Sequence, residues 1–386
     1  MSVQGELTIS LASREGLLHS DIVSSRPMTV AQLFSGKTVE QTLQTVPLLF
    51  NICAKAQAVT AVRAIESAMG LAKDENVESH REALVCIESL REHSLQVLMQ
   101  WPSYIGENID NGTLAKCVQS LNLLMLTISE QKILNFGVNS MSALSAKIKS
   151  LWADCMANLS QIIFGLPVEQ WLQDSLSSIE NWAQQAQTPA ACFIKWLSQQ
   201  SWKYAGDSNI QVLPNINDAE LVARLLAERE NFTAKPDWYT RSYELSWFNY
   251  QQAHNVIKDM QKMNGQGIYT RMIARLCEIA RLMHKLQSFF EDGTRIETPI
   301  STVAGLAHVD AARGRLSHYV QLEGDTVKRL FILAPTEWNF HPHGVAAKSL
   351  CHLNSLSDLR LQADLLINAI DPCVGYQLQI SGEVIH

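Results

Sequence analysis

Residues 310–339 read DAARGRLSHYVQLEGDTVKRLFILAPTEWN, in which two runs rich in β-branched and other apolar residues surround a Gly-Asp pair. Glycine and aspartate are typical turn residues. Gly324 and Asp325 therefore predict a β-hairpin that joins residues 314–323 to residues 327–334.

A second hairpin is predicted near the N-terminus. Residues 5–12 alternate polar and apolar side chains, which is typical of a strand, and residues 16–24 can pair with them. Thr38 and Gln41 then form a capping-box pattern, which indicates the start of a helical region. The sequence thus places β structure near both ends of the chain and helices between them.

Helical periodicity dominates the middle of the chain. It is clearest over residues 268–290, where apolar side chains recur at three- and four-residue steps: Met272, Leu276, Ile279, Met283, Leu286 and Phe290. Asn217 with Glu220 predicts the start of another helix. Further helices are predicted at residues 54–70, 78–100, 114–132, 141–164 and 355–369, and residues 335–344 are predicted to form a loop.

These elements predict an α+β fold that is mostly α-helical, with small antiparallel β elements near both ends. Residues 106–113 and 204–217 are rich in Gly, Asn and Asp, but both stretches are short. We therefore expect a single domain over residues 1–386. Its parts would be a β-rich N-terminal region, a helical region, and a hairpin with a C-terminal cofactor segment, at residues 1–36, 38–295 and 300–386.

Composition argues against several classes of function. The 386 residues include 31 Lys and Arg against 38 Asp and Glu, a formal charge of −7, so a nucleic-acid partner is not expected. No apolar run reaches the ~18 residues that a membrane span needs, and the N-terminus lacks the features of a secretory signal. The eight cysteines contain no C-x-x-C pair. A reducing, cytoplasmic location is therefore expected.

Common enzyme motifs are absent from the sequence. It contains no Walker A loop, no G-x-G-x-x-G after a strand, no G-x-S-x-G and no H-E-x-x-H. In the proteins that have them, these motifs position phosphate-binding amides, a nucleophilic serine or zinc ligands. Because the motifs are absent, the sequence does not support the corresponding reaction classes.

A family resemblance appears in four segments: VAQLFSGK at 30–37, ICAKAQAVTAVRAIESAMG at 52–70, the hairpin segment at 310–339, and DPC at 371–373. Together they resemble the large, catalytic subunit of [NiFe] hydrogenases. In that family a C-x-x-C pair lies near each end of the chain, and the four thiolates hold nickel. The resemblance implies the helical bundle of a hydrogenase large subunit.

Half of the family's thiolates are missing from this sequence. Cys53 corresponds to the second cysteine of the N-terminal pair, with Phe50 at the first position. Cys373 corresponds to the first cysteine of the C-terminal pair, with Tyr376 at the second. Phenylalanine offers no ligand atom and a phenol is a poor ligand for a soft metal. The resemblance implies that Cys53 and Cys373 bind iron, that no nickel is held, and that hydrogen is not turned over. Gln32 stands where the family has a proton-transferring glutamate.

The iron side of the family's site is better preserved. There the iron carries two cyanides and one carbon monoxide, and the resemblance assigns their recognition to Arg313, Leu316, Pro335 and Thr336. Arginine and a hydroxyl can donate hydrogen bonds to the anionic cyanides. An apolar side chain such as Leu316 suits carbon monoxide, which is a weak acceptor.

This pattern resembles the HupK/HoxV-type hydrogenase maturation proteins, which look like large subunits that have lost part of the cysteine set. The resemblance implies a scaffold on which the Fe(CN)2CO unit is built or kept before transfer. Its partners would be a HypC-type chaperone, HypD and the immature [NiFe] hydrogenase large subunit. No catalytic residue is predicted, although a chemical step on the bound iron unit stays open.

Simpler interpretations stay open for individual residues. Arg313 could form a surface ion pair with Asp310 or Glu323. His341 and His343 form an H-P-H sequence that could contribute a metal ligand, but a solvated loop is the favoured interpretation.

A different class of function is also open. The protein could be a metal-free pseudo-hydrogenase that acts as a structural or docking subunit. In that case Cys53 and Cys373 would be relics, and replacing them would change stability alone.

Overall fold

The computed structural model describes residues 5–140, 144–171, 175–354 and 358–381. These residues form a mostly helical α+β fold, which confirms the predicted fold class. The helices are α1 (Val39–Leu49), α2 (Ala54–Ala68), α3 (Glu75–Leu95), α4 (Trp101–Tyr104), α5 (Asn111–Ser129), α6 (Ala146–Leu159), α7 (Val168–Trp171), α8 (Leu176–Gln185), α9 (Pro189–Ser198), α10 (Asp218–Glu228), α11 (Glu230–Ala234), α12 (Asn255–Asn264), α13 (Ile268–Gln287), α14 (Pro335–Asn339), α15 (Val345–Cys351) and α16 (Leu359–Ile370). The predicted ranges 141–164 and 355–369 each begin in residues outside those described.

The strands of the described residues form two small sheets. They are β1 (Glu6–Arg14), β2 (Leu17–Ser24), β3 (Leu306–Ala311), β4 (Gly314–Glu323), β5 (Thr326–Leu333) and β6 (Gly375–Ser381). One sheet has the order β2-β1-β6, and the other has the order β3-β4-β5.

Both predicted hairpins are confirmed. β1 and β2 pair antiparallel, and so do β4 and β5, whose turn contains Gly324. The capping box is also present, since the Thr38 side chain accepts from the Gln41 amide and the Gln41 side chain bonds back to Thr38. Local turn and cap chemistry was sufficient to place these elements.

Several elements were not predicted, and three of them belong to the two sheets or follow one of them directly. β3 adds a third, antiparallel strand to the C-terminal hairpin, and β6 pairs parallel with β1, so the two ends of the chain share a sheet. Neither pairing involves a local turn that the sequence would reveal. Pro335–Asn339 form a short helix where a loop was predicted, with Pro335 at the start, where its fixed φ and missing N–H are tolerated.

The helices α3 and α13 are buried along most of their length in the main core. Among the described residues, no helix is both long enough and apolar enough to cross a membrane. α3 nevertheless carries many polar residues on its buried surface, so its stability depends on how those groups are paired.

A buried ionic network joins α3 to α2. Arg81 donates to Glu66 at 2.6 and 2.9 Å and to Glu78 at 2.7 Å. Arg63 donates to Glu78 at 2.8 Å and to Glu82 at 3.0 Å. Because α2 begins directly after Cys53, this network fixes the helix that positions one of the predicted ligands.

We expect Arg81→Ala to lower the free energy of unfolding by about 3–5 kcal/mol, because Glu66 and Glu78 would lose a buried cationic partner. The measurement is urea unfolding followed by tryptophan fluorescence. Arg295→Ala is the control, since its ion pair with Glu75 is exposed and should cost about 0–1 kcal/mol. Equal effects of the two variants would contradict a structural role for the network.

Candidate functional site

A cavity lies where the start of α2, the turn between β3 and β4, the end of β5 and the segment before β6 meet. It encloses about 500 Å³, counting its open mouth. It is lined by two cysteines, two arginines and a largely apolar wall: Arg26, Phe50, Ile52, Cys53, Gln57, Ala311, Ala312, Arg313, Leu316, Ala334, Pro335, Cys373 and Val374. Folding therefore brings residues from both ends of the chain to one site.

The two predicted metal ligands both line this cavity. Cys53 is the last residue of a 3₁₀ turn, Asn51–Cys53, and the cap residue before α2. Its sulfur accepts a long hydrogen bond of 3.8 Å from Gln57 Nε2. Burial, followed by the neighbouring Cys373 and Glu88, raises the pKa of Cys53 to about 12. Without a cation between the two sulfurs, Cys53 is therefore a neutral thiol at pH 7.

Thr336 reaches the cavity through Cys373. Its Oγ1 lies 3.0 Å from Cys373 Sγ as a donor, and it accepts from the Cys373 amide at 3.3 Å. Thr336 is at the start of α14, directly after Pro335. The hydroxyl thus fixes the position of Cys373 from both its backbone and its side chain.

The side chain of Glu88, a residue of α3, reaches the N-terminus of α2 next to Cys53. Its two carboxylate oxygens accept from the amides of Lys55 at 2.8 Å and Ala56 at 2.9 Å. These amides would otherwise lack a helical partner, and a carboxylate there also complements the helix dipole. Burial raises the pKa of Glu88 to about 7, although the two amide hydrogen bonds oppose the shift. The sequence offered no local signal for this contact between residues on different helices.

Arg313 is buried and is held by two carboxylates. It donates to Glu92 at 3.0 Å and to Asp371 at 3.4 Å. Burial alone would lower its pKa, but the charges of Asp371 and Glu92 outweigh this and raise it. The alternative surface pair with Asp310 is formed by the next arginine, Arg315, at 3.3 Å. The open interpretation of Arg313 as a surface ion pair is therefore wrong.

One donor of Arg313 has no partner among the described residues. Within the part of the chain that the structure describes, Arg313 Nε is buried and has no hydrogen-bond partner. A buried N–H without a partner is costly and uncommon. Since Arg313 lines the cavity, an anionic acceptor in the cavity would remove that cost.

The backbone around Arg313 is tightly positioned. Gly314 has φ of +122°, and a β-carbon there would collide with the carbonyl oxygen of Leu245. Asn339 donates to the carbonyl oxygens of Arg313 at 3.2 Å and Leu245 at 3.3 Å, and accepts from the Leu245 amide at 2.8 Å. Glycine is required at this position because two segments of backbone approach each other closely.

The wall opposite these polar groups is apolar. Leu316 is 1% exposed and packs with Ala311 and Ala334 in a small apolar cluster beside the cavity. Phe50 also lines the cavity and lies under the guanidinium of Arg26, 5.5 Å from its carbon to the ring centroid. A ligand that accepts few hydrogen bonds would suit this wall.

Other residues considered from the sequence lie away from the cavity lining. The Tyr376 hydroxyl donates to Asp364 at 3.2 Å, and Gln32 is exposed and donates to Glu230 at 2.8 Å. His341 is buried and accepts from the His343 amide at 3.0 Å, while the His343 side chain is exposed. The favoured solvated-loop interpretation is therefore right for His343 and wrong for His341.

The site supplies few ligands of its own. Among the described residues, no group of three or more His, Cys, Asp and Glu side chains has a metal-binding arrangement. Two thiols alone leave most coordination positions of an iron or nickel ion empty. A metal bound by Cys53 and Cys373 here would need further ligands from another source.

Comparison with known proteins identifies the class first. Residues 238–375 match the nickel-dependent hydrogenase family. A reduced Ni-Fe-Se hydrogenase of Desulfomicrobium baculatum superimposes with a TM-score of 0.63 at 13% identity, covering 94% of this chain and 95% of that chain. An NAD+-reducing [NiFe]-hydrogenase superimposes with a TM-score of 0.57 at 14% identity, covering 96% and 95%. The protein thus has the fold of a hydrogenase large subunit.

Curated relatives of similar sequence give a more specific assignment than the fold alone. The hydrogenase expression/formation protein HoxV of Cupriavidus necator is 26% identical and covers 98% of both chains. HupK of Azotobacter vinelandii is 25% identical over 97% of this chain and 98% of its own. HupK of Bradyrhizobium diazoefficiens is 27% identical, covering 92% and 90%. The chain is a hydrogenase large-subunit-like homologue of the HoxV and HupK hydrogenase expression/formation proteins.

The raised pKa of Glu88 predicts how stability depends on pH. Because the folded carboxyl holds its proton more tightly than the unfolded one, folding takes up a proton as the pH falls through about 7. The unfolding free energy of the wild type should therefore gain on the order of 2 kcal/mol over that of Glu88→Gln between pH 8 and pH 5.

Parallel urea titrations of both proteins at several pH values measure this difference. Other titrating groups are common to the two proteins and cancel. A difference that does not change with pH would show that Glu88 has an ordinary pKa.

Proposed function

We propose that this protein is a hydrogenase maturation scaffold that holds the Fe(CN)2CO unit during assembly and passes it to the [NiFe] hydrogenase large subunit. One observation carries the proposal: two cysteines and an arginine with a free buried donor line one cavity that has an apolar wall. The relatives that match over 98% of their own length are named hydrogenase expression/formation proteins, which supports the maturation role.

The cavity matches the chemical needs of the iron unit. Cys53 and Cys373 would bind ferrous iron as thiolates, and the metal charge would offset the high pKa of Cys53. Arg313 Nε would donate to a cyanide nitrogen, which is an anionic acceptor. Leu316 and Pro335 would lie beside the carbon monoxide, which needs no donor.

The same residues favour release over permanent retention. Phe50 lines the cavity without offering a ligand atom, and the Tyr376 hydroxyl is bonded to Asp364. A four-thiolate nickel site therefore cannot form from these positions, so hydrogen turnover is not proposed. The raised pKa of Cys53 lets protons compete with the metal for its sulfur, which makes transfer to a four-cysteine acceptor favourable.

The proposal extends to partners and place of action. A HypC-type chaperone and HypD would deliver the iron unit, and the immature large subunit would accept it, in the cytoplasm. We propose no catalytic residue of this chain for these steps.

Infrared spectroscopy tests the cargo directly. Protein purified from cells that co-express the maturation proteins should show cyanide and carbon monoxide stretching bands, together with bound iron. Cys53→Ala and Cys373→Ala should each lose at least about tenfold in bound iron and band intensity, because a metal ligand is removed. Cys192→Ala is the control, since Cys192 is a partly exposed cysteine of α9 outside the cavity lining. If the wild-type protein lacks these bands, the proposal that it carries the iron unit is refuted.

Maturation in cells separates the scaffold from a metal-free docking subunit. We expect the double variant Cys53→Ala/Cys373→Ala to abolish most activity of the served hydrogenase, while a Cys192→Ala/Cys351→Ala variant supports it normally. Hydrogen-dependent dye reduction in extracts measures this, with immunoblots to show equal amounts of scaffold. Full activity with the first double variant would favour the docking subunit.

A further inference from the structure

The cavity contains a second arginine to which neither the sequence nor the relatives assign a role. Arg26 follows β2 and lines the cysteine cavity, although its side chain is only 11% exposed. It also lines an adjoining pocket with Phe50 and Glu337, so it lies in the wall between the two spaces. An arginine at this position can contact an occupant of the cavity without leaving its present site.

The charge of Arg26 acts on the two cysteines. Burial lowers its pKa, but the charges of Cys373, Glu337 and Cys53 and the hydrogen bond to Glu337 together outweigh burial and raise it. The guanidinium is therefore charged, and it shares the cavity lining with both cysteines. Such an arginine stabilises negative charge at this end of the cavity.

Arg26 also keeps donors available. Among the described residues, its guanidinium makes one hydrogen bond, from Nη1 to Glu337 Oε1 at 3.0 Å. Arg313, in contrast, is already shared between Glu92 and Asp371. A guanidinium has five N–H donors, so Arg26 can bind a second acceptor without losing Glu337.

Charge counting shows why an occupant of the cavity would need additional hydrogen-bond donors. The groups beneath the cavity nearly balance, since Arg313 and Arg275 oppose Glu92 and Asp371, and Arg26 opposes Glu337. Ferrous iron with two cyanides is neutral, and two thiolates then add two negative charges. Because Arg26 and Arg313 are already balanced by carboxylates, their free N–H donors, rather than surplus positive charge, would stabilise that negative charge.

We propose that Arg26 is a second anion-binding residue of the cysteine cavity, which donates to the anionic ligands of whatever the two cysteines hold. The identity of that occupant rests on the proposed function, but the anion preference of the cavity does not. Arg26 binds from the side of Phe50, and Arg313 binds through its free Nε.

Two thiol reagents test the anion preference without any cargo. Iodoacetate is anionic and iodoacetamide is neutral, and both alkylate a thiolate with release of iodide. The ratio of their rates at Cys53 and Cys373, followed by peptide mass spectrometry of the full chain, cancels effects of thiol pKa and access. It reports the local preference for an anion.

Arg26→Gln should lower the iodoacetate-to-iodoacetamide ratio by about fivefold, and Arg26→Lys should restore much of it. Glu337→Gln should raise the ratio, because the Arg26 guanidinium would lose its carboxylate partner. This second variant tests the proposal even if Arg26→Gln folds poorly. Arg315→Gln is the matched control, since Arg315 pairs with Asp310 and lies outside the cavity lining. Unchanged ratios in both Arg26→Gln and Glu337→Gln would overturn the proposal.

Infrared spectra of protein that carries the iron unit give a second measurement. If wild-type protein carries cyanide bands, Arg26→Gln should shift those bands more than the carbon monoxide band and lose iron about tenfold faster on desalting. Bands and iron loss identical to wild type would overturn the role of Arg26 while leaving the scaffold intact. Wild-type protein without bands would refute the scaffold, and the reagent ratio would still decide the role of Arg26.

Discussion

The cavity depends on the ion pairs of Arg313. Its guanidinium bonds Glu92 on α3 and Asp371 just before Cys373, so one side chain joins three segments that are far apart in the sequence. Buried charges are tolerated only when they are paired, and removal of Arg313 would leave Glu92 with Arg91 and Asp371 with Arg275 as their remaining cationic partners. The ion pair between Arg313 and Asp371 helps to hold Cys373 at the cavity, and the two ion pairs leave Arg313 Nε without an acceptor among the described residues. The structural requirement and the proposed recognition of an anion therefore rest on the same side chain.

The electrostatics of the cavity support the proposed temporary binding of a metal unit. Cys53 has a pKa of about 12, so protons compete effectively for its sulfur when no metal is present. Thr336 donates to Cys373, and Glu88 rather than Cys53 occupies the positive end of α2. A site that activated its thiols fully would hold a metal more strongly, whereas this one offers two thiols of which one is hard to ionise. Such a balance fits the proposed role of a scaffold that releases the metal unit to another protein.

Several features were predictable because their causes are local. The Gly324-Asp325 turn, the Thr38 capping box and the apolar repeat of α13 each lie within a short stretch of sequence. The candidate site was predictable for a different reason, since Arg313, Leu316 and Cys373 lie in segments that resemble a known family. Arg26, Glu88, Glu92 and Asn339 were missed, because each acts through a partner that is distant in sequence.

The sequence by itself determined the helical and hairpin elements, the family resemblance and the loss of two thiol positions, because these follow from neighbouring residues and from residue identity. Tertiary structure alone decided that Cys53 and Cys373 line one cavity, that β6 pairs with β1, and that Phe50 lines the cavity while Tyr376 bonds Asp364. It also decided the charge state of the site, because pKa shifts and ion pairs depend on burial and on neighbours brought together by folding. A sequence states which groups are present, and only their packing fixes which of them share a low-dielectric space.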